Sequence, residues 1–329
     1  MNRRELLSLA TLSAGGLVLA ARSPARAQGA GSVSVYAAAK SSVVDELTAR
    51  FTRETGIRVN VVKAASGDII RRVKAESSAP KGDVIWSIGS EQLEASSELL
   101  APFTPDEAAA ISGPYRSSAA WAPFSGIVVA FAVNTDELKP EQYPKTWRDL
   151  TEPRFKGKVS SARVDASGSA FQQMGTVLAA YGEDGWDLYK RIMDNTVFSA
   201  SSGVIGRLVN DGEALVGITL EDLGFDYVRG GGPVAVVYPE DGTSTTADGM
   251  ALIKGAPNAE NGRRFLNWLL TKPIQEYVVK EMNRRSVRSD VASQGKPLDQ
   301  IKLVNYSVRD SAEHRDAWIA RWRTIIGGR

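Results

Sequence analysis

The sequence predicts an α/β protein of two lobes joined by two hinge strands. Short apolar segments typical of strands alternate with amphipathic segments typical of helices, a pattern that favours parallel sheets covered by helices. This alternation stops after residue 134, gives way to a proline-containing stretch, and starts again near residue 158. Two long strand-like segments, 126–134 and 246–253, lie where the pattern leaves and re-enters the first lobe, so we predict that they cross between the lobes.

The first lobe begins with a β-α-β-α-β order. Alternating apolar residues predict a strand at 32–36, and Val44, Leu47 and Phe51 form one face of a helix that Gly56 ends. The segments that follow are a strand at 57–62, a helix at 69–77 and a strand at 83–86. Their short connections predict a parallel sheet with helices on its faces.

The second lobe repeats this pattern with shorter segments. Its predicted strands include 158–160, 214–220 and 233–238, and its predicted helices include 170–181 and 204–210. The C-terminal helices, among them 259–270 and 273–281, are expected to pack back on the first lobe. The predicted boundaries are therefore 28–130 plus 250–329 for lobe one and 131–249 for lobe two.

Residues 1–27 are predicted to be an export signal peptide. Arg3 and Arg4 give it a positive start, residues 6–21 are apolar or small, and Ala25-Arg26-Ala27 is a typical cleavage site. A membrane anchor is disfavoured because two glycines interrupt an apolar run that is shorter than the ~20 residues a span needs. The arginine pair also resembles a twin-arginine signal, so the export route stays open. Either route predicts a periplasmic protein.

Composition argues against several classes of function. The chain has 40 Lys and Arg against 38 Asp and Glu, so its charge gives no reason to expect nucleic acid or an anionic membrane as a partner. It has no cysteine and a single histidine, His314, which removes thiolate metal sites and the commonest general base from most of the chain. Residues 88–90 do not complete the G-x-S-x-G elbow of a serine hydrolase. We therefore predict a binding protein that is not an enzyme and that uses no cofactor or metal, with an exported hydrolase as the rival.

The loops beyond the carboxyl ends of the strands are the candidate site, because ligands of open α/β sheets bind there. Most of these loops are rich in serine and glycine and open a helix. Free N–H groups at a helix start, the helix dipole and serine hydroxyls together favour an anion. Each loop has an ordinary alternative as a helix cap or a turn. The candidate residues are Ala38, Ser66, Gly67, Ser87, Ser167, Gly168, Ser169, Ser201 and Ser202.

Three acidic residues and one aromatic residue complete the candidate site. Glu221 and Asp222 end a predicted strand at the cleft, where a carboxylate would repel a bare inorganic anion and suit sugar hydroxyls or an amine. The alternative is that they cap a helix at the surface. Asp248 lies beside the second hinge strand, and Tyr36 would stack on a ligand or fill the cleft floor. The expected ligand is a small organic molecule with a phosphate or phosphonate group and with hydroxyls or an amine.

Several segments, in their order and spacing, resemble bacterial extracellular solute-binding proteins of the ferric-iron-binding-like group. They are SVYAA at 34–38, FTRETGI at 51–57, GDV at 82–84, AVNT at 132–135, FKGK at 155–158, PEDGT at 239–243, APN at 256–258 and FLNWLL at 265–270. The resemblance covers nearly the whole mature chain. It implies a type II periplasmic-binding fold and a role in an ABC importer with an inner-membrane permease as partner, and we expect a monomer.

The same resemblance leaves the ligand open, since the group includes receptors for ferric ion, hexose phosphates and phosphonates. Its ferric receptors use a histidine near the first strand and a pair of tyrosines in the second lobe. Here residues 36–41 contain no histidine, and residues 220–227 contain one tyrosine, Tyr227. Both departures argue against iron, and a receptor that binds ferric ion with a synergistic anion is the alternative.

Overall fold

The computed structural model describes residues 31–115, 118–199 and 201–327, in which ten strands and eleven α-helices occur. The strands are β1 (Ser32–Ala37), β2 (Arg58–Lys63), β3 (Val84–Gly89), β4 (Leu100–Ala101), β5 (Ala122–Asn134), β6 (Val159–Ala162), β7 (Thr196–Ser199), β8 (Val216–Leu220), β9 (Val234–Val237) and β10 (Thr245–Ile253). The helices are α1 (Ser41–Thr55), α2 (Ser66–Ala75), α3 (Ser90–Glu94), α4 (Gly168–Tyr181), α5 (Gly185–Asp194), α6 (Ile205–Asn210), α7 (Glu221–Arg229), α8 (Ala259–Leu269), α9 (Lys272–Met282), α10 (Val308–Glu313) and α11 (Arg315–Ile326). The predicted signal peptide lies outside the described residues.

The long strand β5 pairs with different strands along its first and second halves. On one side β1 pairs in parallel with β2 and β3, and β10 lies antiparallel between β3 and the first half of β5. On the other side the second half of β5 pairs antiparallel with β8 and β9, and β6 pairs in parallel with β7 and β8. The order is β2-β1-β3-β10-β5-β8-β6-β7, with β5 common to both halves. This arrangement confirms the predicted α/β class.

Two large hydrophobic clusters lie on the two sides of this division. The first contains Phe51, Trp86 and Phe124, and the second contains Phe131 and Trp147. We call the elements around the first cluster lobe one and those around the second lobe two. The side chains of β5 change from the first cluster to the second within the segment 124–127, close to the predicted first hinge strand. The residue boundaries given above for the lobes stay a prediction.

The last helix departs from the expectation that the C-terminal helices pack on lobe one. Helices α8 and α9 do join the first cluster. By contrast, α11 packs on lobe two, where Trp322 and Ile326 join the second cluster and Trp318 stacks on Phe171 with ring centroids 5.9 Å apart. Large aromatic side chains gain most from burial, so they decide where this helix lies. The chain beyond α9 therefore returns from lobe one to lobe two.

Candidate functional site

A cavity of about 380 Å³ lies between the lobes, beyond the carboxyl ends of β1, β2, β3 and β6. Ligands of open α/β sheets bind at this edge. Lobe one lines it with residues 38–41, 64–66, 87 and 89, and lobe two with residues 166–169, 172, 201–203, 220 and 223. Ile127 of β5, Asp248 of β10 and Arg284, which follows α9, complete the lining.

Three helices begin at the cavity. Helix α1 starts at Ser41, α2 at Ser66 and α4 at Gly168, and the residues around each start line the cavity. The first N–H groups of a helix have no partner within the helix, and its dipole adds partial positive charge at this end. Two of these helices come from lobe one and one from lobe two. An anion between them would therefore be bound from both lobes.

The start of α4 carries a pair of serines. Ser167 caps the helix, because its Oγ accepts a hydrogen bond of 3.3 Å from the Ala170 N–H. The Oγ atoms of Ser167 and Ser169 are 3.0 Å apart and share one hydrogen bond. That bond uses one of the two hydroxyl hydrogens, so the other can be donated to a ligand.

The lobes approach each other at Gly168 of α4 and Gly89 of β3. A Cβ atom added to Gly168 would lie 3.7 Å from the Gly89 nitrogen and 3.8 Å from its Cα. The backbones of the two lobes are thus in near contact beside the serine pair. Glycine permits this approach because it carries no side chain.

Ser87 is an extra residue in β3 that the pairing with β10 skips. Its φ is 62°, in the left-handed region that residues with a side chain seldom adopt. This bulge turns the side chain so that Oγ donates to Asp248 Oδ2 at 2.6 Å. A strained residue held in the cavity lining is typical of a functional site.

Arg284 is a cavity residue that the sequence analysis missed. Its Nε donates to Asp222 Oδ2 at 2.9 Å, and its Nη1 donates to Asp248 and, at 3.2 Å, to Ser125 Oγ. Burial disfavours the charge of the guanidinium, but the two carboxylates outweigh this and raise the pKa of Arg284. One arginine thus serves two carboxylates, Asp222 and Asp248. No motif marks Arg284 in the sequence.

Glu221 and Asp222 do not line the cavity, contrary to the prediction. The Glu221 carboxylate accepts two hydrogen bonds from Arg285, of 2.6 and 2.9 Å, and one of 2.6 Å from the Tyr238 hydroxyl. Burial raises the pKa of the Glu221 carboxyl, and Arg285 opposes this shift. Both acids begin α7 in buried ion pairs with the arginines that follow α9, so the surface-cap alternative is also wrong. Asp222 is connected to the cavity lining through its ion pair with Arg284.

Tyr36 and Gly67 also lie outside the lining. Tyr36 lies within β1 rather than beyond its end, and its hydroxyl donates at 2.6 Å to Glu76, which directly follows α2. Gly67 faces lobe two at the rim, where an added Cβ would lie 3.8 Å from the Asp165 carbonyl oxygen. The other predicted residues line the cavity: Ala38, Ser66, Ser87, Ser167, Gly168, Ser169, Ser201, Ser202 and Asp248.

A polar contact crosses the cleft at Lys40, which precedes α1 and lines the cavity. Its ammonium group donates to Asp226 of α7, and Asn283 Nδ2 donates to the same carboxylate at 2.8 Å. Burial lowers the pKa of Lys40. The Lys40–Asp226 ion pair therefore links lobe one to lobe two beside the cavity.

Metal-binding geometry is lacking in the described part of the chain. Within residues 31–115, 118–199 and 201–327, no group of three or more His, Cys, Asp or Glu residues is placed to hold a metal ion. His314 is exposed and stacks on Trp318, with ring centroids 5.8 Å apart. The same residues include no helix with the length and apolar character needed to cross a membrane.

The chain is similar in sequence and fold to known binding proteins. Residues 33–281 match the model of a family described as "Bacterial extracellular solute-binding protein". A Salmonella typhimurium protein, provisionally named a 2-aminoethylphosphonate-binding periplasmic protein, is 27% identical over 291 residues, which cover 84% of this chain and 85% of that protein.

Two solved structures share the fold. The periplasmic binding protein AfuA from Actinobacillus pleuropneumoniae, with fructose-6-phosphate bound, superposes with a TM-score of 0.85 at 23% identity, over 90% of this chain and 99% of that one. Iron-bound HitA from Pseudomonas aeruginosa gives a TM-score of 0.80 at 18% identity, over 89% of this chain and 99% of that one. The type II periplasmic-binding fold predicted from the sequence is confirmed.

Proposed function

The chain belongs to the family of bacterial extracellular solute-binding proteins, and we propose that it is the periplasmic receptor of an ABC importer for a small organic phosphate or phosphonate. It binds the ligand between its lobes and delivers it to an inner-membrane permease. In this proposal the protein acts as a monomer, needs no cofactor and leaves the ligand chemically unchanged.

The observation that carries the proposal is the convergence of helix starts and serine hydroxyls on one cavity. Ser66 begins α2, Ser167 and Ser169 flank the start of α4, and Ser201 and Ser202 lie in the same lining. These donors come from different directions and from both lobes. A tetrahedral phosphoryl group has oxygen atoms to accept from all of them.

We also expect the ligand to carry a hydrogen-bond donor, because a carboxylate lines the cavity. Asp248 lines the cavity, and its neighbour Arg284 is shared with Asp222. A carboxylate there favours an ammonium or hydroxyl group and disfavours an anion that has nothing to donate. 2-Aminoethylphosphonate, in the name of the Salmonella relative, and fructose 6-phosphate, bound to AfuA, both combine a phosphoryl group with such donors.

Ferric ion is the alternative ligand, and the lining does not favour it. Among the described residues the lining contains one carboxylate, Asp248, and neither tyrosine nor histidine. Tyr227, the one tyrosine of its segment, packs against Gly206 of α6. We therefore favour the organic phosphoryl ligand over the metal ion.

A thermal-shift and calorimetry series tests the proposal. The purified mature protein is mixed separately with 2-aminoethylphosphonate, fructose 6-phosphate, inorganic phosphate and ferric citrate. At least one organic phosphoryl compound is expected to raise the melting temperature, because a ligand at 100 times its Kd adds about 2.7 kcal/mol to the free energy of unfolding. No inorganic phosphate should be released from the compound that binds.

The response to ferric salts, compared with the response to the organic phosphoryl compounds, decides between the proposal and its alternatives. A visible charge-transfer band with ferric salts, together with no response to any organic phosphoryl compound, would replace the proposal with the ferric alternative. Steady release of phosphate from a bound ester would instead favour the hydrolase.

A further inference from the structure

Gln172 is a buried amide that lines the cavity from the second turn of α4. It follows Gly168 by four residues and Ser169 by three, so it lies on the helix face that also carries the serine pair. Gln172 is one of the residues that line the cavity, although it is only 1% exposed. A polar group in this position is costly to bury unless it finds a partner.

A closed chain of hydrogen bonds fixes the orientation of this amide. The Thr176 hydroxyl donates its single hydrogen to the Gln172 backbone carbonyl at 2.7 Å. The 2.6 Å contact between the hydroxyls of Thr176 and Ser244 must therefore use the hydrogen of Ser244. Ser244 Oγ can then only accept, and it accepts from Gln172 Nε2 at 3.0 Å. The amide nitrogen is thus held toward Ser244, and the oxygen faces the other way.

That oxygen, Oε1, is buried and has no hydrogen-bond partner among the described residues. Of the three residues in the chain of bonds, only Gln172 lines the cavity. We infer that a donor on the bound ligand completes the hydrogen bonding of Gln172 Oε1, which makes Gln172 a specificity-determining residue. This inference rests on the proposed function, since it takes the cavity as the ligand site.

The chemistry that Gln172 selects is an O–H or N–H group on a phosphoryl ligand. An amide oxygen carries no full charge, so it does not repel the phosphoryl group, and it carries no hydrogen, so it can only accept. A site built around such an acceptor rejects analogues that lack the donor, because the acceptor is then left unpaired. The donor belongs either to the organic part of the ligand or to the P–OH of a phosphoryl monoanion.

The variant Gln172→Met keeps the length of the side chain and removes the acceptor. Titration calorimetry in alkaline buffer, well above the second pKa of all three compounds so that the phosphoryl group is a dianion, compares 2-aminoethylphosphonate and 2-hydroxyethylphosphonate with propylphosphonate, which has no donor on its chain. The wild type is expected to prefer the two donor-bearing compounds, and the variant to lose roughly 10- to 100-fold of that preference. Its affinity for propylphosphonate should stay close to that of the wild type.

A second arm separates the two sources of the donor. Propylphosphonate is titrated again at about pH 5.5, where its phosphoryl group carries a hydrogen. If the P–OH is the donor, the wild type binds propylphosphonate more tightly at the lower pH and Gln172→Met does not. If the donor is on the organic part, the loss of preference at high pH appears and this pH difference does not.

Gln92 of α3 offers a matched control. It is also a buried glutamine whose Oε1 has no partner among the described residues. Its Oε1 lies 3.7 Å from a Cβ added to Gly168, but Gln92 is not part of the cavity lining. Gln92→Met is therefore expected to leave the preference for donor-bearing ligands intact, whatever it does to the melting temperature. Thr176→Val, which breaks the orienting chain without reaching the cavity, should weaken the preference less than Gln172→Met.

Two outcomes overturn the inference and leave the proposed function standing. One is an equal loss of affinity for all three phosphonates in Gln172→Met, which would indicate a structural role. The other is a preference and a pH response identical to those of the wild type. If the wild type binds no organic phosphoryl compound, the proposed function fails and this inference fails with it.

Discussion

Replacing Glu221 with glutamine removes one charge from a buried ion pair between the lobes. The Glu221 and Arg285 side chains are 2% and 4% exposed, and Arg285 donates to both carboxylate oxygens. Glutamine offers one oxygen in place of two and turns an NH₂ group toward the guanidinium. Although burial raises the pKa of the Glu221 carboxyl, its loss leaves the buried Arg285 guanidinium without its carboxylate partner, and breaking a buried pair in this way costs about 3–5 kcal/mol. Melting followed by circular dichroism is therefore expected to show a drop on the order of 10 °C.

Ligand selectivity separates this structural role from the ligand contact that the sequence suggested. Because Glu221 lies outside the cavity lining, Glu221→Gln should bind 2-aminoethylphosphonate and propylphosphonate with an unchanged ratio of affinities. The control Asp248→Asn alters a carboxylate that lines the cavity, so it should weaken the aminoethyl compound selectively. A Glu221→Gln protein that melts like the wild type, or that selectively loses the aminoethyl compound, would refute this reasoning.

Three further outcomes are expected. Ser169→Ala should weaken phosphonate binding by roughly 10- to 100-fold in calorimetry, since one charge-assisted hydrogen bond is lost, and its melting temperature should change little because Ser167 retains the cap. Burial raises the pKa of the Glu91 carboxyl, so its ionisation opposes folding, and this cost grows as the pH rises above about 4.3, the ordinary value for glutamate. Melting curves should show Glu91→Gln gaining stability over the wild type at neutral pH and losing the gain in acid, and a constant difference would contradict this. X-ray scattering should show a smaller radius of gyration with saturating 2-aminoethylphosphonate, as hinge closure requires; identical curves would argue against closure.

The sequence identified most of the cavity because its alternating pattern locates the ends of the strands. Once β1, β2, β3 and β6 are placed, the loops that follow them must meet at one edge of the sheet. Ser66 and Ser167 line the cavity for this reason, whereas Ser87 reaches it from a bulge inside β3. The start of α4 was also predictable, since a serine before a helix is a common cap.

Arg284 could not be found in this way, because a long-range backbone pairing carries it to the cavity. The next residue, Arg285, exchanges two backbone hydrogen bonds with Gly126 of β5, of 2.8 and 3.2 Å. Hydrophobic periodicity describes single elements and says nothing of which distant segment lies beside a hinge strand. The same limit explains Glu221: its place at a strand end was correct, but its partner Arg285 is far along the chain. The orientation of Gln172 likewise depends on Ser244, which lies 72 positions away.

The distribution of charge around the cavity decides what kind of anion it can hold. Both cations in the described lining, Lys40 and Arg284, are already paired with carboxylates. An anionic ligand must therefore be held by helix starts and hydroxyls, whose hydrogen bonds depend on direction more than on charge. Such donors fit a phosphoryl group of a given shape, while Asp248 disfavours an anion that brings no donor of its own. Inorganic phosphate meets the first condition, but its dianion has a single P–OH hydrogen to donate, whereas an aminoalkyl or polyhydroxyl chain brings further donors, so we expect the cavity to select for the organic part of the ligand as well as for its phosphoryl group.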